Sequence, residues 1–131
     1  MVIYGLITSV DRFWLQGNSK ITQREQIDFL VRLYRSELPI VRRTDSIVKR
    51  MMVIDKMKEI IIRGKTGWSI QNEIHNGWFV GYVTKKEGVF FFATNVEPKE
   101  TLNMAIFPAA RMKVTYQALR HLKIIDQIPV R

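Results

Sequence analysis

The feature that most constrains the fold is a pair of strand-like segments separated by a short turn. Residues 77–84 and 89–95 are rich in Trp, Phe, Tyr and Val, which favour the pleated, half-buried surface of a sheet. Residues 85–88 between them are polar and end in a glycine, which suits a tight hairpin connection. The two segments are therefore predicted to be neighbouring antiparallel strands.

A third strand is predicted before this hairpin. Residues 58–63 contain three consecutive isoleucines, and β-branched side chains favour extended structure. The polar residues 68–76 are predicted to form a longer link from this strand to the hairpin. Together these segments predict an antiparallel sheet of about three strands.

A helix is predicted to begin after Thr22. Thr22 and Glu25 have the spacing of a capping box, in which two side chains accept hydrogen bonds from free N–H groups at a helix start. The helix is predicted to end at Pro39, because the residue before a proline disfavours the helical conformation. Apolar side chains at helical spacing predict one buried face, formed by Ile27, Leu30, Leu33 and Tyr34.

Two further helices are predicted, one over residues 44–52 and one over residues 108–123. The second begins at Pro108, whose fixed φ suits a first helical turn. Helices that cover an antiparallel sheet define an α+β fold. The side chains predicted to be buried are Ile47, Val48, Met51 and Met52 in the first helix, and Met112, Tyr116, Leu119 and Leu122 in the second.

Composition limits the chain to one unit without a metal centre. It has 131 residues, of which 47% are hydrophobic, and this length suits a single core over residues 1–131. There is no cysteine, and the two histidines, His75 and His121, are far apart in sequence. Neither a disulfide framework nor a zinc site is expected, and no cofactor is implied.

The start of the chain does not have the pattern of an export signal. The first ten residues are apolar but have no basic start, and they run into Asp11 and Arg12 without a small-residue cleavage site. No apolar run approaches the roughly 20 residues of a membrane-spanning helix. If translation starts at Met1, a cytoplasmic protein without membrane contact is expected.

The net charge of +9 raises the question of a nucleic-acid partner. Phosphate binding needs clustered cations, and the basic residues here alternate with apolar ones, as on solvated outer faces. A nucleic-acid partner is therefore not the expectation. A small basic binding protein remains the alternative hypothesis for the function.

The sequence Gly64-Lys65-Thr66 partly matches a phosphate-binding loop. The first glycine of that motif would fall at residue 59, which is Glu59, and a polar stretch follows in place of a helix. The phosphate-loop interpretation is therefore rejected. Lys-Thr-Gly after a strand is instead an active-site element of serine β-lactamases and penicillin-binding proteins.

Several motifs follow one another in the order seen in one enzyme family. They are Tyr4-Gly5, residues 13–17 (FWLQG), 21–33, 47–49, 63–69 (RGKTGWS), 77–83 (GWFVGYV) and 91–95 (FFATN). In these motifs the chain resembles the class D (oxacillinase-type) β-lactamases of the penicillin-binding transpeptidase family, over nearly its whole length. Penicillin-sensing receptor domains share the same motifs, so part of such a receptor domain is a further alternative hypothesis for the function.

The resemblance implies a set of ligand-binding residues. Lys65 and Thr66 would face the carboxylate of a β-lactam or peptidoglycan-like ligand, and the backbone N–H of Trp68 would form half of an oxyanion hole. An arginine at position 111 would pair with the same carboxylate. The full implied set is Lys65, Thr66, Gly67, Trp68 and Arg111 for binding, with Trp14 and Leu15 in support.

The catalytic part of the family pattern has no match in this chain. The family nucleophile lies in a Ser-x-x-Lys motif ahead of all the aligned motifs. The only literal match is Ser46 to Lys49, which aligns with a peripheral helix, where Lys49 would be solvated and charged. No catalytic nucleophile or base is therefore assigned, and no turnover is expected from the chain alone.

The resemblance also carries expectations about partners and location. The chain would be a partial domain that lacks the nucleophile-bearing part, so a complementary N-terminal fragment or self-association is expected. Family members usually act in the periplasm or outside the cell, which differs from the cytoplasmic expectation given above.

Overall fold

The computed structural model describes residues 20–99 and 103–129. Within them lie three helices and four strands. The elements in chain order are α1 Gln23–Tyr34, α2 Arg42–Met51, β1 Val53–Met57, β2 Ile60–Gln71, β3 Ile74–Lys85, β4 Gly88–Val96 and α3 Phe107–His121. The strands form one antiparallel sheet in the order β1-β2-β3-β4. The predicted α+β class is confirmed.

The sheet has one strand more than predicted. β1 lies at the edge beside the first part of β2, and Lys58 and Glu59 form the turn between them. The predicted strand over residues 58–63 was therefore wrong at its start. Val53 and Ile54 favour a strand, whereas Asp55 and Lys56 disfavour it. The local signal is therefore mixed, and the pairing with β2 keeps residues 53–57 extended.

The predicted polar link over residues 68–76 was also wrong. β2 and β3 continue through most of it and pair up to Gln71 and Ile74. The chain reverses in two residues, Asn72 and Glu73, with φ values of 51° and 65°. Two positive φ angles are typical of a type I′ turn, whose twist matches that of the two strands. Cross-strand pairing has overridden the polar composition.

Helix α3 covers one face of the sheet, here called the α3 face. Its apolar side meets side chains of β2, β3 and β4 in the main core, which comprises Ile62, Phe79, Val83, Phe92, Tyr116, Leu119 and Ile125. The Tyr116 hydroxyl also donates a hydrogen bond to Asp55 Oδ2 at 2.8 Å. The helix is therefore anchored to the edge strand as well as to the core.

Helix α1 covers part of the opposite face, here called the α1 face. The capping box is confirmed: the Glu25 N–H donates to Thr22 Oγ1 at 3.2 Å, and the Thr22 N–H donates to Glu25 Oε2 at 2.8 Å. The ring of Tyr34 packs edge-on against Tyr82, with ring centroids 5.5 Å apart. The helix ends at Tyr34 rather than at Pro39, because Ser36 has a φ of 58° and turns the chain.

Three side chains predicted to be buried are exposed. Tyr34, the last residue of α1, is 40% exposed. Met51 at the end of α2 is 78% exposed and Leu122 is 65% exposed. Leu122 lies after the last residue of α3, where the chain turns at Lys123 with a φ of 58°. Ile125 therefore takes the buried position.

The described residues contain neither a membrane-spanning helix nor a cluster of metal-ligating side chains. None of the three described helices is long and apolar enough to cross a membrane. Across residues 20–99 and 103–129, no three acidic, histidine or cysteine side chains lie together as metal ligands would.

Candidate ligand-binding site

The second half of β2 has an open edge. β1 pairs with β2 only as far as Val53 opposite Arg63, and the Gly64 N–H then donates to the Met52 carbonyl at 2.8 Å. No strand in the described part of the chain pairs with this edge beyond that point. Lys65 and the residues after it are held by β3 on one side only.

The backbone of this segment presents hydrogen-bonding groups to the open edge. In an antiparallel strand, alternate residues direct both their N–H and C=O groups to the same edge. The Gly64 N–H points toward β1, so those of Thr66 and Trp68 point the same way. The peptide N–H of Trp68 therefore lies on the unpaired side of the strand.

Side chains of the segment alternate between the two faces of the sheet. Thr66 lies opposite the core residue Phe79 and so belongs to the α3 face, whereas Lys65 lies opposite Val80 and belongs to the α1 face. The Lys65 ammonium bends back and donates to the Thr66 carbonyl at 2.8 Å. The Lys65 ammonium therefore contacts the backbone of Thr66, while the two side chains start on opposite faces.

Two glycines of the sheet differ in the space beside them. A Cβ added to Gly81 would collide with the Arg63 carbonyl oxygen on the neighbouring strand. A Cβ added to Gly67 would meet only Trp78 Cβ, at 3.7 Å. Gly81 therefore serves the close approach of two strands, and the surface beside Gly67 has room for a ligand.

Arg111 lies on α3 between two residues with defined contacts. Positions 107, 111 and 115 share one side of a helix because of its 3.6-residue period. Thr115 Oγ1 contacts Thr94 Oγ1 at 2.6 Å, and the Phe107 and Trp68 ring centroids are 5.5 Å apart. The row of sheet residues Thr66, Phe79 and Thr94 runs beneath this side of the helix. Arg111 is therefore on the same face as Thr66.

The guanidinium of Arg111 lacks a partner among the described residues. Its Nε and Nη1 atoms are buried and make no hydrogen bond there. Burial lowers the pKa of the Arg111 guanidinium from its ordinary value, but arginine still stays protonated in proteins. A partly buried cation without an anion is unfavourable, so this position is suited to receive a carboxylate.

A cluster of three aromatic rings borders the site and was not found from the sequence. The indole Nε1–H of Trp68 donates to His75 Nδ1 at 3.0 Å. Phe107 contacts both rings, with centroid distances of 5.5 Å to Trp68 and 6.1 Å to His75. The Trp68–His75 pair follows from the strand register. Trp68 lies opposite Gly77, and His75 is two residues before Gly77 on the same strand and so on the same face.

The literal Ser-x-x-Lys match lies on α2, where the Lys49 carbonyl accepts a hydrogen bond from Arg63 Nε at 3.2 Å. Ser46 is exposed. Lys49 is half-buried rather than fully solvated, and its ammonium lies 2.8 Å from Asp45 Oδ2 and 2.6 Å from Ser36 Oγ. The ion pair with Asp45 lies within α2. The hydrogen bonds that Lys49 donates to Ser36 Oγ and to the Tyr34 carbonyl link α2 to the end of α1. Trp14 and Leu15, the two supporting residues, lie outside the described residues.

Sequence comparison defines the class of this chain. Residues 4–116 match the family model of the penicillin binding protein transpeptidase domain, and the chain belongs to that family. Among curated proteins it is 38% identical to the β-lactamase OXA-48 of Klebsiella pneumoniae over 117 residues, which is 89% of this chain and 43% of that protein. It is 40% identical to OXA-2 of Salmonella typhimurium over 90 residues, 69% of this chain and 31% of that protein.

Solved structures give the same result. The class D β-lactamase of Sebaldella termitidis superposes with a TM-score of 0.80 at 37% identity, over 86% of this chain and 46% of that one. The class D β-lactamase YbXI from Nostoc gives 0.78 at 42% identity over the same shares. The resemblance to class D β-lactamases is thus confirmed, and the chain spans less than half the length of these relatives. The nucleic-acid alternative is not favoured.

Proposed function

We propose that this chain forms the ligand-binding wall of a β-lactam-recognising acyl-transfer site. The observation that carries the proposal is the partly buried guanidinium of Arg111, which has no partner among the described residues and belongs to the same sheet face as Thr66. A β-lactam ligand has an anionic carboxylate and a nearby lactam carbonyl. The wall offers a cation for the carboxylate and strand-edge N–H groups for the carbonyl.

Each residue of the wall has a distinct role in this proposal. Arg111 pairs with the carboxylate through a charge-assisted hydrogen bond, and the Thr66 hydroxyl binds the same group. The Trp68 peptide N–H donates to the carbonyl oxygen, where negative charge develops when the acyl carbon is attacked. The Lys65 ammonium adds positive potential at the edge, and Gly67 leaves space for the ligand.

The wall binds and orients the ligand but does not supply the attacking group. In serine acyl transfer a hydroxyl, activated by a base, attacks the carbonyl and forms an acyl-enzyme. No residue of this chain is assigned to either role. Binding without turnover is therefore the activity proposed for the isolated chain, because a site without a nucleophile retains only a small part of the rate.

The proposal is tested by titrating benzylpenicillin into the chain and measuring affinity by calorimetry or by chemical-shift changes. Arg111→Met is expected to weaken binding by about tenfold or more, the usual loss for a hydrogen bond to a charged group. Lys113→Met is the matched control, because Lys113 is an exposed cation on the same helix. Equal losses in the two variants, or no binding by the unaltered chain, would contradict the proposal.

Turnover is measured in the same preparation with a chromogenic cephalosporin. We expect no hydrolysis above background. A burst of product that disappears in Ser46→Ala would show that the literal Ser-x-x-Lys motif holds the nucleophile after all.

A further inference from the structure

The tip of the β2–β3 hairpin projects beyond the other strands. The last row shared by three strands is Trp68, Gly77 and Val96. Residues 69–76 beyond it form a two-stranded ribbon within the described part of the sheet. Such a ribbon is marginally stable by itself. Trp68, whose peptide N–H faces the open edge, stands at the base of this ribbon.

Two contacts hold the Trp68 side chain in place, and a third joins the two residues that make them. His75 Nδ1 accepts its indole N–H at 3.0 Å, Phe107 contacts it edge-on, and Phe107 also contacts His75. Phe107 reaches this position because Gly77 has no side chain: an added Cβ would lie 3.1 Å from Phe107 Cζ. The ribbon is thereby fixed to α3, the helix that carries Arg111.

We infer that His75 is a positioning residue for the ligand-binding edge. By accepting the indole N–H it fixes the Trp68 side chain, and with it the direction of the Trp68 peptide N–H before a ligand arrives. Since Nδ1 accepts a hydrogen bond, the proton of the neutral imidazole is on Nε2. The inference deepens the proposed function and rests on it for the ligand. A fixed donor increases affinity because less order is lost on binding.

Two variants separate this role from simple packing. His75→Asn keeps an acceptor oxygen near the position of Nδ1, and His75→Leu keeps apolar bulk but removes the acceptor. The indole N–H resonance of Trp68, assigned by its loss in Trp68→Phe, is expected to move and to exchange faster with water in His75→Leu. It should remain near its original position in His75→Asn. These measurements need no ligand.

Affinity for benzylpenicillin is the second measurement. His75→Leu is expected to weaken binding by about three- to tenfold, in the range of one hydrogen bond, and His75→Asn to recover most of the loss. In a Trp68→Phe background, His75→Leu should have little further effect, because the two residues act as a coupled pair.

The outcomes distinguish this inference from the proposed function. If the unaltered chain binds benzylpenicillin and all His75 variants bind it equally well, the positioning role is overturned and the proposed function stands. If His75→Asn binds benzylpenicillin as weakly as His75→Leu, the positioning role is also overturned. The hydrogen-bond acceptor would then not restore affinity, and packing of the imidazole ring would explain the loss. If no chain binds benzylpenicillin, the proposed function fails. The Trp68 indole and peptide N–H resonances then decide the positioning role, and unchanged resonances in His75→Leu would overturn it.

Discussion

Arg111 is the residue at which stability and ligand binding are expected to oppose each other. Its guanidinium is buried in part and has no partner among the described residues. Arg111→Met keeps the apolar stem and removes the charge, so the free energy of unfolding is expected to rise by about 1 kcal/mol while penicillin affinity falls. Urea denaturation measures the change. A destabilised Arg111→Met with Lys113→Met unchanged would mean that the cation has a structural partner.

Asp45 is expected to make the free energy of unfolding depend on pH in the acid range. The hydrogen bond from Lys49 is the main reason that the pKa of the Asp45 carboxyl lies below its ordinary value of 3.8. A second hydrogen bond, donated by the Ser36 hydroxyl, lowers the pKa further. A carboxyl with a depressed folded-state pKa stabilises the fold above its unfolded pKa. This contribution is lost as the pH falls from 3.8 through the lower folded value.

The Asp45 prediction is checked by denaturation at neutral and acid pH. Asp45→Asn is expected to be less stable at neutral pH and to lose less stability on acidification. Ser46→Ala, an exposed neighbour on α2, serves as control and should cost at most about 0.5 kcal/mol. Parallel pH profiles for the unaltered chain and Asp45→Asn would refute the assignment.

The pairing of β2 with β3 requires a glycine at position 81 but has room for a side chain at position 67. Gly81→Ala is expected to destabilise the sheet by about 3 kcal/mol, because the new Cβ collides with the Arg63 carbonyl and neither strand can move away. Gly67→Ala should change stability by only about 0.5 kcal/mol, since its Cβ has room. Thermal denaturation compares the two variants; similar Tm values would show that the strands adjust.

The elements differ in how well the sequence predicted them. α1 was predicted from its capping box, and β3 and β4 from their aromatic residues, because these signals are local. β1 and the second half of β2 were missed. Polar residues such as Asp55, Lys56 and Ser69 weaken the local strand signal of these segments, although each segment also contains strand-favouring residues. Pairing with partner strands decides that both segments are extended.

For the whole molecule, the open edge of β2 predicts self-association. Unpaired strand edges and exposed apolar side chains promote association, and Trp68, Ile70 and Ile74 are 41%, 51% and 60% exposed. We expect the purified chain to be dimeric or aggregated in size-exclusion chromatography with light scattering. Ile70→Lys should reduce this, because a charge at a strand edge opposes pairing. A compact monomer with a cooperative melt and no hydrophobic dye binding would contradict the prediction.

The sequence by itself determined the α+β class, the hairpin of β3 and β4, and the motif set around Lys65, Thr66 and Gly67, since each depends on residues close together in the chain. The tertiary structure alone decided that Thr66 and Arg111 share a sheet face, and that the Trp68 peptide N–H lies on an edge with which no described strand pairs. It also decided that His75 holds the Trp68 indole. These relations depend on strand register and helix packing, and a shift of one residue would reverse the face of every side chain in the strand.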